Sequence, residues 1–146
     1  MIFATKTIDK KTIGIMEIDT VDECINIDPA PKFWAVFLHD EQKSEDNEID
    51  AFARHFILKG ASALYSIGAD AEYVHDRFDD EIMTLYIEGK IDLDARCVLT
   101  MWSTENIADS VDEILAMCDC GSIYFIVLKN HDAFGSLSSC LRLIQE

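Results

Sequence analysis

The sequence predicts an α/β fold: a three-layer sandwich in which helices cover both faces of a mainly parallel sheet of at least four strands. Four short apolar runs alternate with segments in which apolar residues recur every three or four positions, as expected for strands alternating with amphipathic helices. The runs are continuously apolar, which is typical of strands buried on both faces. They cover residues 33–38, 63–67, 97–102 and 123–129.

An antiparallel hairpin is predicted at one edge of this sheet, at the start of the chain. Residues 2–5 and 12–16 have strand-forming character, and the polar turn 9–11 separates them. The segment 28–31, which contains two prolines, then predicts an irregular connection. The reason is that proline lacks an amide donor and disfavours helix at the preceding residue.

The first two apolar runs each lead into a predicted helix. An apolar stripe after the first run predicts a helix with Ser44 as a candidate N-cap and Gly60 as its stop. The second helix is expected to begin at Asp70, also a candidate cap. Residues 83–94 leave two alternatives open: they extend this helix, or they add a short strand over 84–87.

The second half of the chain repeats the strand–helix alternation. The third run is interpreted as a core strand over 98–102, followed by a helix capped by Ser103 or Thr104. The fourth run, 123–128, is the most apolar and predicts another central strand. Asp132 is the candidate cap of a final amphipathic helix.

At 146 residues the chain predicts a single domain, 1–146, with the hairpin in 1–20 and the alternating unit in 33–146. A chain of this length buries roughly 70% of its unfolded surface, enough for a sizeable core. No run approaches the ~20 apolar residues of a membrane span. Residues 1–6 lack the basic start and apolar stretch of a signal peptide. We therefore expect a cytoplasmic protein, and we predict no cofactor.

The five cysteines are odd in number and irregularly spaced, which does not predict a disulfide framework. Cys97 falls in an apolar run and Cys140 near the apolar face of a helix, so we expect most of the five thiols, which also include Cys24, Cys118 and Cys120, to be buried. Cys118 and Cys120 could bind a soft metal, but no second pair follows at zinc-finger spacing.

The formal net charge of −16 bears on the kind of partner. Nucleic acids and anionic membranes require clustered Lys and Arg, so this charge argues against both. It is compatible with a basic protein partner attracted over long range. It would equally serve to keep the protein in solution.

Polar side chains follow the predicted strands where their carboxyl ends should meet at one rim of the sheet. His and Asp at such a rim could bind a divalent metal or act in acid–base catalysis. Asp, Ser, Thr and Asn at the same positions also cap helices, so both interpretations stay open. The candidate rim residues are His39, Asp40, Glu105, His131 and Asp132.

Motifs for nucleotide binding and for nucleophilic catalysis are absent from the sequence. The first strand-to-helix turn, 38–43, has no glycine and carries two carboxylates, which would repel phosphate. Neither a dinucleotide-binding glycine motif nor a P-loop nor a nucleophile elbow occurs.

The densest group of acidic residues falls on the second predicted helix. Positions 72, 76, 79 and 80 share one face of that helix. Such a face could be merely solvated, hold a metal, or bind Lys and Arg of a partner. Like charges on one face repel each other and reduce the stability of the helix. We therefore adopt the hypothesis that the face is retained for partner binding. The candidate residues are Asp70, Glu72, Asp76, Asp79, Asp80 and Glu81.

Segments 69–81 and 99–107, together with the strand 33–38, resemble a family of small bacterial proteins of unknown function. The first segment carries an aromatic residue, then His-Asp, then Asp-Glu; the second carries Thr-x-Trp, a polar pair and Glu. The resemblance covers residues 33–115 and implies the same fold, without an established activity. Members of the family often have His after that Trp, where this chain has Ser103, and this argues against a metal or general-base role there.

In size, acidity and lack of a catalytic motif, the chain also resembles bacterial toxin-immunity proteins. We therefore expect an acidic protein-binding module rather than an enzyme: an immunity protein that neutralises a basic, nuclease-type toxin. Two alternatives stay open, namely a small metal-binding or hydrolytic enzyme that uses the rim, and a regulatory subunit of a larger assembly. In the last case Trp34, Trp102 or Phe134 could be exposed anchors, although we expect core burial for them.

Overall fold

The computed structural model describes residues 2–29, 32–38, 45–94 and 96–145. Its strands are β1 (Ile2–Ile8), β2 (Lys11–Ile18), β3 (Trp34–Leu38), β4 (Ala63–Ile67), β5 (Leu99–Ser103) and β6 (Ser122–Leu128). Its α-helices are α1 (Asp46–Lys59), α2 (Ala71–Ile87), α3 (Ile107–Met117) and α4 (His131–Gln145), and a 3-10 helix spans Val21–Asn26. In these described ranges, no helix is long and apolar enough to cross a membrane.

The strands form one sheet in the order β1-β2-β6-β3-β4-β5. β1 and β2 pair antiparallel, and every other neighbouring pair is parallel. Asp9 and Lys10, in the turn between β1 and β2, have φ of 49° and 67°, as a two-residue hairpin turn of matching twist requires. The prediction of a mainly parallel α/β sheet with an edge hairpin is therefore confirmed.

Helices cover both faces of the sheet, so the fold has three layers. Alternate residues of β3 enter different cores: Phe37 packs with α1 and α2, whereas Trp34 and Val36 pack with α3 and α4. In the first core the ring centroids of Phe37 and Phe52 lie 4.6 Å apart. All five residues of β3 are buried, which explains its continuously apolar sequence.

The strand order places a topological switch point between β3 and β6. From β3 the chain moves outward to β4 and β5, and it then returns to form β6 on the other side of β3. Because β-α-β crossovers are right-handed, connections running in opposite directions place their helices on opposite faces of the sheet. A crevice is expected beyond the carboxyl ends of β3 and β6, where these connections diverge.

The third strand differs from its prediction. It begins at Leu99 and lies at the edge of the sheet, paired with β4, so the expectation of a core strand was wrong. Leu99 is 53% exposed and Trp102 is 41% exposed, and Cys97 is exposed outside the strand. Apolar composition alone does not distinguish an edge strand from a central one. The expected burial of Trp102 was wrong, whereas Trp34 is buried as expected and Phe134 is half-buried.

The cap predictions for α3 and α4 were also wrong, because an asparagine takes the capping role at the start of each of these two helices. Asn106 Oδ1 accepts a hydrogen bond from the Asp109 amide at 2.8 Å at the start of α3. Asn130 Oδ1 accepts from the Ala133 amide at 3.0 Å at the start of α4. The predicted caps Ser103, Thr104 and Asp132 therefore do not hold those positions.

Gly60 ends α1 in the left-handed conformation, with φ of 105°, as predicted. The helix α2 continues to Ile87, so the alternative strand over 84–87 does not form. Ser44 lies outside the described residues.

The cysteines divide by burial. Cys24 and Cys118 are buried, Cys120 and Cys140 are half-buried, and Cys97 is exposed. Burial raises the pKa of the Cys24 thiol to about 12. The expectation that most of the thiols are buried is therefore wrong, because only Cys24 and Cys118 of the five are buried.

Candidate functional site

Four of the six candidate partner-binding residues are exposed on one side of α2. We call these residues the acidic face: Glu72, Asp76, Asp79 and Asp80. The side chains of Asp76 and Asp79 are 68% and 51% exposed. Among the described residues, no Lys or Arg forms an ion pair with any of the four. The face therefore carries uncompensated negative charge.

The other two candidates lie away from this face. Glu81 forms an ion pair with Arg54 of α1 at 3.1 Å, and its side chain is only 13% exposed. Asp70 occupies the N-cap position of α2, where both of its carboxylate oxygens are buried. Both side chains belong to the packing of α2 rather than to its exposed surface.

The single Arg of α2 points toward α1, and this explains the uniform charge of the acidic face. Arg77 forms a two-bond contact with Asp50 and lies 3.6 Å from Asp46. These carboxylates, through the hydrogen bonds with Asp50 first of all, raise the pKa of the Arg77 guanidinium. Tyr73 donates a 2.5 Å hydrogen bond to Asp46 on the same side. The positive charge of the helix is thus used in fixing α2 to α1.

His75 connects the acidic face to the edge strand. Its Nδ1 lies 3.0 Å from Asp76 Oδ1, and its Nε2 lies 3.0 Å from Thr100 Oγ1 of β5. The Thr100 hydroxyl also donates to Asp79 Oδ1 at 2.5 Å. Sequence reasoning missed Thr100, because it is separated from His75 by 25 positions and no local pattern joins them.

His75, Asp76 and Asp79 could also hold a divalent cation. One ligand atom of each lies within 4.8 Å of the others, and in the described part of the chain no other trio of His, Cys, Asp or Glu does so. Imidazole and carboxylate suit several first-row metals. The cluster is built mainly from exposed carboxylates, which are common on protein surfaces without a metal.

Exposed apolar side chains lie next to the acidic face. Trp102, His75 and Thr100 line a shallow depression of about 360 Å³ that extends to Met117 of α3. Met117 is 43% exposed and Leu99, on the same strand as Trp102, is 53% exposed. We call Trp102 and Met117, which both line this depression, the edge patch. Within the described ranges, no strand pairs with the outer edge of β5.

A cavity of about 500 Å³ lies at the carboxyl-end rim, where the switch point predicts a crevice. Of the rim candidates, Glu105 lines this cavity. Asp132 is exposed in the first turn of α4. His131 begins α4, but its side chain is not among those described, and His39 and Asp40 lie outside the described residues altogether.

The described lining of this rim cavity is chemically sparse. Glu105 is its one ionisable side chain, and Asn106 and Asn130 are engaged in capping helices. Leu38 and Ile67 supply apolar wall. Glu105 and Asp132 are not part of a metal-binding trio among the described residues.

Comparison with known proteins gives a family and a fold. The profile of a family described as Domain of unknown function (DUF7684) matches residues 14–119. None of the curated proteins matches the chain. A solved structure of UDP-N-acetylmuramoyl-L-alanyl-D-glutamate–2,6-diaminopimelate ligase is similar, with a TM-score of 0.55 and 12% identity over 99% of this chain. The chain spans only 32% of that ligase, so the likeness is one of fold.

Proposed function

The chain belongs to the family described as Domain of unknown function (DUF7684), and we propose that it is a protein-binding module whose acidic face binds a basic protein. The observation that carries this proposal is the charge segregation on α2. Arg77 is directed at α1, while the four carboxylates of the acidic face have no Lys or Arg partner among the described residues.

The charge of the whole chain supports the same partner. A net charge of −16 attracts a basic protein over long range and speeds its encounter. The acidic face would then pair with Lys and Arg at short range. Because the four carboxylates repel one another in the free protein, a cationic partner would relieve that repulsion on binding.

The edge patch supplies the apolar part of such an interface. Binding energy in protein interfaces concentrates on a few aromatic and Arg anchors surrounded by polar contacts. Trp102 is 41% exposed, and it lines the same depression as His75. On α2, His75 lies one helical turn from Asp79. The aromatic anchor and the carboxylates are therefore close enough for one partner to cover both.

The finer form of the proposal is an immunity protein that neutralises a basic, nuclease-type bacterial toxin. The size of the chain, its acidity and its lack of catalytic motifs support this form. Covering the basic active site of a nuclease requires a surface that is rich in carboxylates, and the acidic face is such a surface.

A second candidate is a small enzyme that uses the carboxyl-end rim. The 500 Å³ cavity at the switch point favours it, since ligands of open α/β sheets bind there. In the described lining, Glu105 would be its one acid–base group.

The test is capture of the partner with the tagged protein from its native host, at low salt and at ~0.5 M salt, with mass spectrometry. The variant Asp76→Asn/Asp79→Asn/Asp80→Asn removes three charges of the acidic face. The matched control, Asp22→Asn/Asp28→Asn/Asp112→Asn, removes three exposed charges elsewhere.

A stoichiometric basic protein supports the proposal if the control retains it and the acidic-face variant loses it. Retention by both variants would show that the acidic face is not the binding surface. Nuclease activity of the captured protein, inhibited by the added chain, would support the immunity role.

A further inference from the structure

A second pocket, of about 470 Å³, lies at the amino-terminal end of the parallel sheet, opposite the carboxyl-end rim. It is formed where the chain enters β3, β4 and β5 and where α1 ends. Its lining includes the cationic side chains of Lys32, Lys59 and Arg96, together with Ser62 and Cys97.

The charge of this pocket is opposite to that of the protein. Three of its lining residues, Lys32, Lys59 and Arg96, are cationic, and the described lining contains no Asp or Glu. The chain has 12 Lys and Arg against 28 Asp and Glu. The pocket contains three of the 12 Lys and Arg residues and no described carboxylate. The composition of such an acidic chain does not explain this concentration of positive charge.

Arg96 is held in the pocket without a carboxylate partner among the described residues. Its Nη2 donates to the carbonyls of Ile57 and Ala61, both at 2.7 Å, at the C-terminal end of α1. These carbonyls orient the guanidinium but carry no formal charge. Burial lowers the pKa of Arg96, with no compensating acidic group.

The guanidinium also retains donors that could serve a ligand. It has five N–H groups, and the two on Nη2 are used by the carbonyls. Among the described residues, no acceptor engages Nε or Nη1 of Arg96. Lys32 and Lys59 are exposed, and neither forms an ion pair with a described carboxylate.

We propose that this pocket binds a small anion that bears a phosphate group. Three cations match the double charge of phosphate better than the single charge of a carboxylate, and the guanidinium fork fits tetrahedral oxyanions. The protein's overall negative charge does not prevent binding, because salt screens charges beyond about 8–10 Å under physiological conditions. This site is independent of the acidic face and does not rest on the function proposed above.

The test is titration of the ¹⁵N-labelled protein with inorganic phosphate and, separately, with glycerol phosphate, at ionic strength held constant with sodium chloride. We expect saturable amide shifts at residues 59–62 and 96–98. The variant Lys32→Gln/Lys59→Gln should bind roughly tenfold more weakly, as the loss of charge-assisted hydrogen bonds implies.

The control variant is Lys10→Gln/Lys90→Gln, which makes the same charge change outside the pocket. Lys10 is matched to Lys32, because both are exposed lysines with positive φ, 67° and 58°. The control should bind phosphate as the unmodified protein does. Thermal unfolding of each variant shows whether the fold is retained.

Tighter binding of glycerol phosphate than of inorganic phosphate would support a phosphorylated organic ligand that fills the rest of the pocket. Equal affinities would support inorganic phosphate itself. Absence of saturable shifts, or equal weakening by the pocket and control variants, would overturn the proposal. Arg96→Lys keeps the positive charge but loses the forked guanidinium donors, so this variant should also weaken phosphate binding. If Arg96→Lys does not fold, the comparison of the two double lysine variants still tests the proposal.

Discussion

Thr100 Oγ1 lies 3.0 Å from Nε2 of His75, and this contact joins the edge strand β5 to the acidic face of α2. The same hydroxyl donates to Asp79. A single threonine thus fixes the position of two polar residues on α2 relative to Trp102, two positions further along β5. The acidic face and the edge patch are therefore held as one surface.

Replacement of Thr100 by Val should destabilise the fold modestly. It removes the hydroxyl that contacts His75 and Asp79 but keeps a β-branched side chain in the strand. We expect a loss of about 0.5–1.5 kcal/mol in the free energy of unfolding, measured by urea denaturation. Thr12→Val, at an exposed position of β2, is the control and should change stability by less. Equal effects of the two replacements would contradict a structural role for the Thr100 contacts.

The two tryptophans should differ sharply in their contribution to stability. Trp34 is 4% exposed and Trp102 is 41% exposed. Trp34→Ala should cost about 3–5 kcal/mol, because it opens a cavity in the core. Trp102→Ala should cost less than about 1 kcal/mol. Chemical denaturation measures both, and acrylamide quenching of each single-tryptophan protein gives an independent check, since Trp102 should be quenched more strongly.

The acidic face should determine how fast the partner associates. With the captured partner, Asp76→Asn/Asp79→Asn/Asp80→Asn should slow association and flatten its dependence on salt. Stopped-flow mixing over a range of salt concentrations measures both quantities. An association rate equal to that of the unmodified protein would exclude this face as the source of steering.

Stability should decline in mildly acidic solution because of His55. Burial, with a smaller contribution from Lys59, lowers the pKa of His55 below its ordinary value of 6.5, and its Nε2 is buried without a described partner. Well above pH 6.5 the ring is neutral in both the folded and the unfolded state, so His55 adds no pH dependence to stability there. As the pH falls below that value, the unfolded state binds the proton more readily, so stability is lost.

The check is the free energy of unfolding of the unmodified protein and of His55→Gln at about pH 7.5 and 5.5, on either side of the ordinary histidine pKa. The variant should lose less stability over this interval. A loss equal to that of the unmodified protein would assign the acid sensitivity to other groups.

The cysteines should react with thiol reagents in the order of their exposure. Cys97 is exposed, whereas Cys24 is buried and its pKa is raised to about 12. Because the thiolate is the reactive form, Cys97 should be alkylated first and Cys24 only after unfolding. Mass spectrometry of peptides after timed alkylation measures the order. Early modification of Cys24 in the folded protein would contradict its burial.

The sequence by itself determined the fold class, because hydrophobic periodicity is a local property. The five consecutive apolar residues of β3 predict its burial on both faces. The apolar stripe of α1 and its end at Gly60 were predictable because they too depend on residues close together in the chain. The acidic composition of α2 was equally visible. The direction in which each charged side chain points was not visible in the sequence. Arg77 and Glu81 form ion pairs with residues of α1 that are far away along the chain.

Only the tertiary structure decided which strand lies at the edge and which polar residues meet. β5 is apolar enough to read as a core strand, and its edge position follows from the strand order, which depends on packing of the whole chain. Lys32, Lys59 and Arg96 are spread over three connections, and they line one pocket because parallel strands bring their amino ends together. Contacts between residues distant in sequence leave no periodic signal, and for that reason only folding reveals them.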